Sequence, residues 1–172
     1  MSKIIKYKKI VLVALLYFVF TISYAQITKA NLQASGLTCS MCNLTIKKSL
    51  EKISSIDSVI PDVETATYEL KFKKNAVINF NEIKNAVTNA GFSVAKLVFS
   101  IDTQKVKVNS DKKFEINGFV YTIIDGKMDS KNATTEFQIV DKTFVSDKVF
   151  KKKYKKKIKA TENVFHLVQI KN

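Results

Sequence analysis

The chain of 172 residues contains no arginine and no tryptophan, and it has one proline, one histidine, two cysteines and four glycines. All 29 basic residues are lysines, so bidentate arginine contacts to guanine cannot form, which argues against sequence-specific nucleic-acid binding despite a net charge of +14. One histidine cannot supply a Ser/His/Asp set, and no paired-carboxylate site or glycine-rich phosphate loop is present. We therefore expect no enzyme, and the two cysteines exclude a disulfide-dense scaffold.

The first 25 residues have the composition of a signal peptide. Four lysines lie before residue 10, residues 10–22 form an almost uninterrupted apolar run, and residues 23–25 end in the small residue Ala25. The run is shorter than the roughly 20 residues that a membrane helix needs, which favours cleavage over the alternative of an uncleaved membrane anchor. Cleavage near Ala25 predicts an exported chain, periplasmic or secreted, that begins at Gln26 and keeps 25 lysines against 15 acidic residues.

Residues 26–101 alternate between strand and helix patterns. Alternating apolar and polar residues predict strands at 27–35, 56–62, 66–72 and 92–101. Apolar residues at helical spacing predict one helix from Cys42 and a second from Asn79, which forms a capping box with Glu82. Pro61 lacks a donor and places the second strand at a sheet edge. The order of these elements predicts an α+β fold, a ferredoxin-like βαββαβ sandwich.

Residues 102–172 are predicted to form a second, small β-rich domain with one basic helix. Asn117-Gly118 and Asp125-Gly126 are both typical of primed turns in hairpins. Further strands are predicted at 133–140 and 164–170, and apolar spacing between them predicts a helix capped by Ser146. The lysine run at 151–157 is typical of a solvated helix face. The alternative is a surface that attracts polyanions or an anionic membrane.

The two cysteines form a C-x-x-C motif, Cys39-Ser-Met-Cys42, where the first predicted strand meets the first helix. Two thiols at this spacing can converge on one ion, and the N-terminus of a helix favours thiolate over thiol. Soft thiolates prefer soft ions such as Cu(I). Zinc needs about four protein ligands, or three and a water, and the only histidine, His166, lies in the other half of the chain. A local disulfide, or a redox pair of the thioredoxin type, is the alternative.

Residues 28–100 resemble the heavy-metal-associated domain, which is shared by copper chaperones, copper-transporting P-type ATPases and the periplasmic mercury-binding protein. The family pattern G-M-T-C-x-x-C is present at residues 36–42, with Leu37 in place of the usual methionine. Asn89-Ala-Gly-Phe92 matches the end of the family's second helix. The resemblance covers about half of the mature chain and implies nothing about residues 102–172.

The resemblance implies a metal site in which Cys39 on the loop and Cys42 at the helix start are the ligands. Thr38 and Met41 belong to the same motif, and the resemblance implies that Phe92 packs against the metal loop. Met41 could offer a thioether, although residues between the two cysteines usually face outward. Cu(I) is the preferred ion, and Hg(II), Ag(I) and Zn(II) are alternatives.

The sequence thus predicts an exported, non-catalytic protein that scavenges or carries a soft metal ion and exchanges it with a donor or acceptor protein. Two other functions are left open. The same cysteines could serve a thiol-disulfide oxidoreductase, or they could be incidental in a basic interaction module. A membrane is expected as a partner only through an uncleaved signal segment or through weak surface charge.

Overall fold

A computed structural model describes residues 27–37, 40–128, 132–159 and 161–170. In chain order, the elements of the first half are β1 (Ile27–Ser35), α1 (Ser40–Glu51), β2 (Ile56–Asp62), β3 (Thr67–Phe72), α2 (Phe80–Asn89) and β4 (Ser93–Asp102). The elements of the second half are β5 (Lys113–Ile116), β6 (Phe119–Asp125), β7 (Thr134–Ile139), α3 (Asp147–Val149), a π-helical turn (Phe150–Tyr154) and β8 (Val164–Gln169). The predicted α+β fold, a ferredoxin-like unit followed by a β-rich part, is confirmed.

The first half folds as its local patterns predict. Ala30, Leu32 and Ala34 of β1 are buried, and Pro61 lies on β2 at one edge of the sheet. The cap of α2 differs in detail from the predicted capping box. The side-chain oxygen of Asn79 accepts the backbone N–H of Asn81 at 3.0 Å, and its amide donates to the Glu82 carboxylate at 3.4 Å. Both cap residues therefore serve the helix start, although Glu82 pairs with a side chain rather than with the backbone N–H of Asn79.

All eight described strands belong to one sheet, in the order β2-β3-β1-β4-β7-β8-β6-β5. Strand β4 pairs with β1 along one edge and with β7 along the other, from Val98 opposite Gln138 to Asp102 opposite Thr134. The expected domain boundary after residue 101 therefore falls within β4. Hydrogen bonding continues across that boundary.

One of the two predicted hairpins is wrong. Asn117 and Gly118 have φ of +53° and +80° and join β5 to β6 as expected. After Asp125-Gly126, however, the chain leaves the sheet, and β6 pairs with β8 in parallel rather than with β7. Gly126 is required for another reason, because a Cβ at this position would collide with the side chain of Gln169. A glycine in a turn motif indicates an unusual backbone conformation at that residue, but it does not specify which strand pairs with the preceding one.

A cluster of aromatic rings joins the two halves in one core. The cluster comprises Phe80, Phe99, Phe114, Phe119, Tyr121, Phe144 and Phe165. The rings of Phe80 and Phe99, from α2 and β4, lie 4.7 Å apart, and the ring of Phe80 lies 5.9 Å from that of Phe165 on β8. The first half therefore shares its buried rings with the second.

A second, smaller cluster holds the basic segment. Val140, Val145 and Ile158 are buried there, with Phe150 and Tyr154 packed against them. Ile124 and Val168 also contact this cluster, whereas their strand neighbours Ile123 and Leu167 belong to the main core. Because successive strand residues point to opposite faces, the small cluster lies on the other face of the sheet. The predicted basic helix forms as one α turn followed by a π turn, in which the Lys155 N–H donates to the Phe150 carbonyl at 2.9 Å.

No helix in the described part of the chain is long and apolar enough to cross a membrane.

We expect Tyr121→Phe to stabilise the protein. Tyr121 is 0% exposed, its pKa is raised by burial, and its hydroxyl has no hydrogen-bond partner among the described residues. A buried, unpaired hydroxyl costs about 1–3 kcal/mol, and phenylalanine keeps the ring while removing that group. Urea denaturation should show a free energy of unfolding higher by about 1 kcal/mol. An unchanged or lower value would mean that the hydroxyl does have a partner.

Candidate metal centre

The C-x-x-C motif follows β1 and extends into the first turn of α1. Strand β1 ends at Ser35, and α1 begins at Ser40 with no acidic residue in its first turn. Cys42 lies in that first turn and is half-buried. Thr38 and Cys39 lie outside the described residues, so their predicted roles stay predictions. Because the first turn of α1 holds no acidic residue, no carboxylate in that turn offsets the positive end of the helix dipole near Cys42.

A buried hydrogen bond connects the start of α1 to strand β3. The hydroxyl of Tyr68, on β3, donates to the side-chain oxygen of Asn43 at 2.6 Å. Tyr68 is 0% and Asn43 is 7% exposed. Burial raises the pKa of Tyr68, and the negative charge of a Cys42 thiolate raises it further. The residue next to Cys42 is thus tied by a hydrogen bond to β3, the second strand from one edge of the sheet.

On the other side of the loop, Phe92 lies beside the segment that leads into the motif. A Cβ at Gly36 would be 3.9 Å from the Cδ1 atom of Phe92, and both Phe92 and Leu37 are half-buried against the core. The aromatic ring therefore lies beside Gly36, in the segment that precedes the cysteines. Its influence on a bound metal stays a prediction.

Met41 points toward solvent. Its side chain is 66% exposed, and its carbonyl accepts the hydroxyl of Thr45 at 3.0 Å within the helix. Leu44, one turn along, is 40% exposed. The outward position expected for a residue between the two cysteines is the one observed.

The described residues contain no cluster of metal-binding side chains. No group of three or more His, Cys, Asp or Glu side chains that could hold an ion is found in the described ranges. His166 lies on β8, where Asp141 contacts its ring Nδ1 at 2.7 Å and accepts its backbone N–H at 2.8 Å. This arrangement ends the pairing of β7 with β8, and it fits the structural role expected for the histidine.

The sequence patterns missed Asn43 and Tyr68 as parts of this site. Alternation along β3 predicted that Tyr68 is buried, but nothing in the pattern connected it to a residue 25 positions earlier. The available signal was Asn43, a polar residue that directly follows the second cysteine at an otherwise apolar helix position.

We expect Tyr68→Phe to destabilise the protein, opposite in sign to Tyr121→Phe. The substitution removes one hydroxyl from an equally buried ring, but here it leaves the oxygen of Asn43 without its partner. The free energy of unfolding should fall by about 1–2 kcal/mol in urea denaturation. Equal effects of the two Tyr→Phe substitutions would contradict the described difference between the two hydroxyls.

The family comparison agrees with this geometry. Residues 31–93 match the family model described as the heavy-metal-associated domain. No curated protein matches the chain. The matched range contains α1, α2 and the C-x-x-C motif and ends before β5.

Several solved structures are similar over the same half of the chain. Oxidized MerP from Ralstonia metallidurans CH34 is 28% identical over 40% of this chain and 96% of its own, with a TM-score of 0.36. The CopZ metallochaperone is 18% identical over 40% of this chain and 100% of its own, with a TM-score of 0.37. The yeast copper transporter domain Ccc2a is 22% identical over 38% of this chain and 88% of its own, with a TM-score of 0.34. By its match to the family model, the segment 31–93 of this chain is a heavy-metal-associated domain, which supports binding or transfer of a heavy metal.

Proposed function

We propose that the chain is an exported, non-catalytic protein that binds one soft metal ion, preferentially Cu(I), through Cys39 and Cys42 for scavenging or transfer. The observation that carries the proposal is the position of Cys42 in the first turn of α1, inside the heavy-metal-associated domain. Cys39 precedes it by three residues, so both sulfurs can serve one ion at the end of the helix.

The chemistry of this position favours a soft metal ion. The helix N-terminus stabilises thiolate over thiol and offsets the negative charge of an ion held by two sulfurs. Thiolates select Cu(I) over hard ions, and Hg(II) and Ag(I) share that softness. A zinc site would need a third or fourth protein ligand, and the only histidine, His166 on β8, is paired with Asp141.

The first 25 residues support export, because they combine a basic start, an apolar run and a small residue at the proposed cleavage site. The mature protein would work in the periplasm or outside the cell. There it would exchange its ion with a donor or acceptor protein.

A thiol-disulfide oxidoreductase is the second candidate, because a cysteine in the first turn of a helix is also the arrangement that activates a redox thiol. Such an enzyme must attack a disulfide substrate and have a reduction potential matched to its compartment. A carrier needs only reduced thiols for loading.

Two measurements on the reduced, anaerobically purified protein test the proposal. Titration against a competing Cu(I) chelator should give about one tightly bound Cu(I) per chain, because the chain has only two cysteine thiols. An insulin-reduction assay should show no appreciable turnover. Thioredoxin-like turnover that is lost in Cys39→Ser, without tight Cu(I) binding, would favour the oxidoreductase.

A further inference from the structure

Residues 148–159 form a concentrated basic surface, which we call the lysine surface. Its members are Lys148, Lys151, Lys152, Lys153, Lys155, Lys156, Lys157 and Lys159. All eight are exposed, and these twelve residues include no acidic side chain.

The fold turns the apolar side chains of this segment inward. Ser146 caps α3 by accepting the Val149 N–H at 3.4 Å, and Phe150, Tyr154 and Ile158 pack on the small cluster of the sheet. Because the apolar side is already covered by the protein's own core, the lysines are left as the outer side.

The lysines of the lysine surface form no ion pairs within the described residues. None of its eight ammonium groups has an ion pair or a hydrogen bond there, whereas Lys47, Lys71 and Lys105 elsewhere in the chain pair with carboxylates. Like charges held this close repel one another, so the arrangement favours an anionic counterpart outside the chain.

The chemistry of the lysine surface selects the kind of counterpart. It has no guanidinium for bidentate contacts, and its two aromatic residues, Phe150 and Tyr154, pack half-buried on the small cluster, so neither presents a fully exposed ring for bases to stack on. Its exposed large apolar residue is Val149, at 37%, so it lacks the apolar centre of a stable protein interface. Anionic lipid headgroups need neither feature, because clustered lysines bind them by charge alone.

We propose that the lysine surface docks this protein onto an anionic phospholipid surface. The docking is electrostatic and reversible, and it does not depend on metal binding at the cysteines. It would give the second half of the chain a role of its own, to keep the metal-binding half close to a membrane.

The test uses the chain that begins at Gln26, so that the apolar run at residues 10–22 cannot itself enter a bilayer. Co-sedimentation is measured with vesicles of phosphatidylcholine alone and with vesicles that contain 30% phosphatidylglycerol. We expect binding only to the anionic vesicles at 0.1 M salt, and its loss at 1 M salt, where the Debye length falls from ~10 Å to ~3 Å.

A triple variant, with Lys152, Lys155 and Lys156 each changed to Gln, should bind the anionic vesicles on the order of 100-fold more weakly, at about fivefold per lysine. The matched control changes Lys73, Lys74 and Lys113 to Gln, which removes the same charge from exposed positions outside the lysine surface, and it should lose much less. Urea denaturation establishes that both variants are folded. The proposal would be overturned if the two variants lost equal affinity or if the protein bound neutral vesicles equally well. Tighter binding to duplex DNA or polyglutamate than to anionic vesicles would also overturn it.

Discussion

Replacing either cysteine, by Cys39→Ser or Cys42→Ser, should remove tight Cu(I) binding while leaving the protein folded. Each substitution takes away one of two sulfur ligands. The loss of affinity should therefore exceed the roughly 100-fold that follows loss of an outer hydrogen-bond partner. Cys42 is half-buried, outside the main core, and serine has nearly the same size, so we expect the free energy of unfolding to change by only about 1 kcal/mol or less.

Competition with a Cu(I) chelator measures the affinity, and urea denaturation measures the stability. Met41→Leu is the matched control, because it removes the third sulfur of the motif from an exposed position and should leave the affinity unchanged. Tight binding by a double Cys→Ser variant would place the metal site elsewhere and end the present proposal.

Deleting residues 103–172 should prevent the first half from folding stably. The deletion exposes the edge of β4 that pairs with β7, and it removes Tyr121 and Phe165 from the rings around Phe80 and Phe99. An uncovered edge strand is a template for aggregation, and loss of a single buried aromatic side chain already costs about 3–5 kcal/mol. The truncated chain should show no cooperative urea transition or should associate in size-exclusion chromatography.

A point substitution tests the same coupling within the complete chain. Phe165→Ala lies in the second half, and it should lower the stability of the whole protein by about 3–5 kcal/mol, because this ring contacts Phe80 of the first half at 5.9 Å. Val149→Ala, at an exposed position, should change the stability by less than about 0.5 kcal/mol. If the truncated chain unfolded cooperatively with undiminished stability, the two-domain division predicted from the sequence would hold.

Much of the fold could be predicted because its determinants are local. The alternation in β1 and the cap of α2 each depend on residues a few positions apart. Their physical causes, burial of one strand face and satisfaction of free N–H groups, act within the element itself. The Asp125-Gly126 prediction failed because a turn signal describes the backbone at two residues, whereas strand pairing depends on which distant strand is available.

The metal centre, too, could be predicted only in part from the sequence. The C-x-x-C motif and the start of α1 could be predicted, since spacing and helix pattern are adjacent in the sequence. The hydrogen bond between Asn43 and Tyr68 could not, because it joins a helix to a strand across 25 residues. It forms only when β3 is placed beneath α1.

The sequence alone determined the order of elements in the first half, the position of the paired cysteines at a helix start and the concentration of lysines near the C-terminus. Only the tertiary structure decided that β4 is an interior strand of one eight-stranded sheet, and that Phe80, Phe99, Tyr121 and Phe165 share a core. It also decided that the lysine surface is the outer side of a segment anchored by its apolar residues. The reason is physical: hydrophobic burial is non-directional, so an apolar pattern shows which residues are buried and leaves open which distant residues they are buried against.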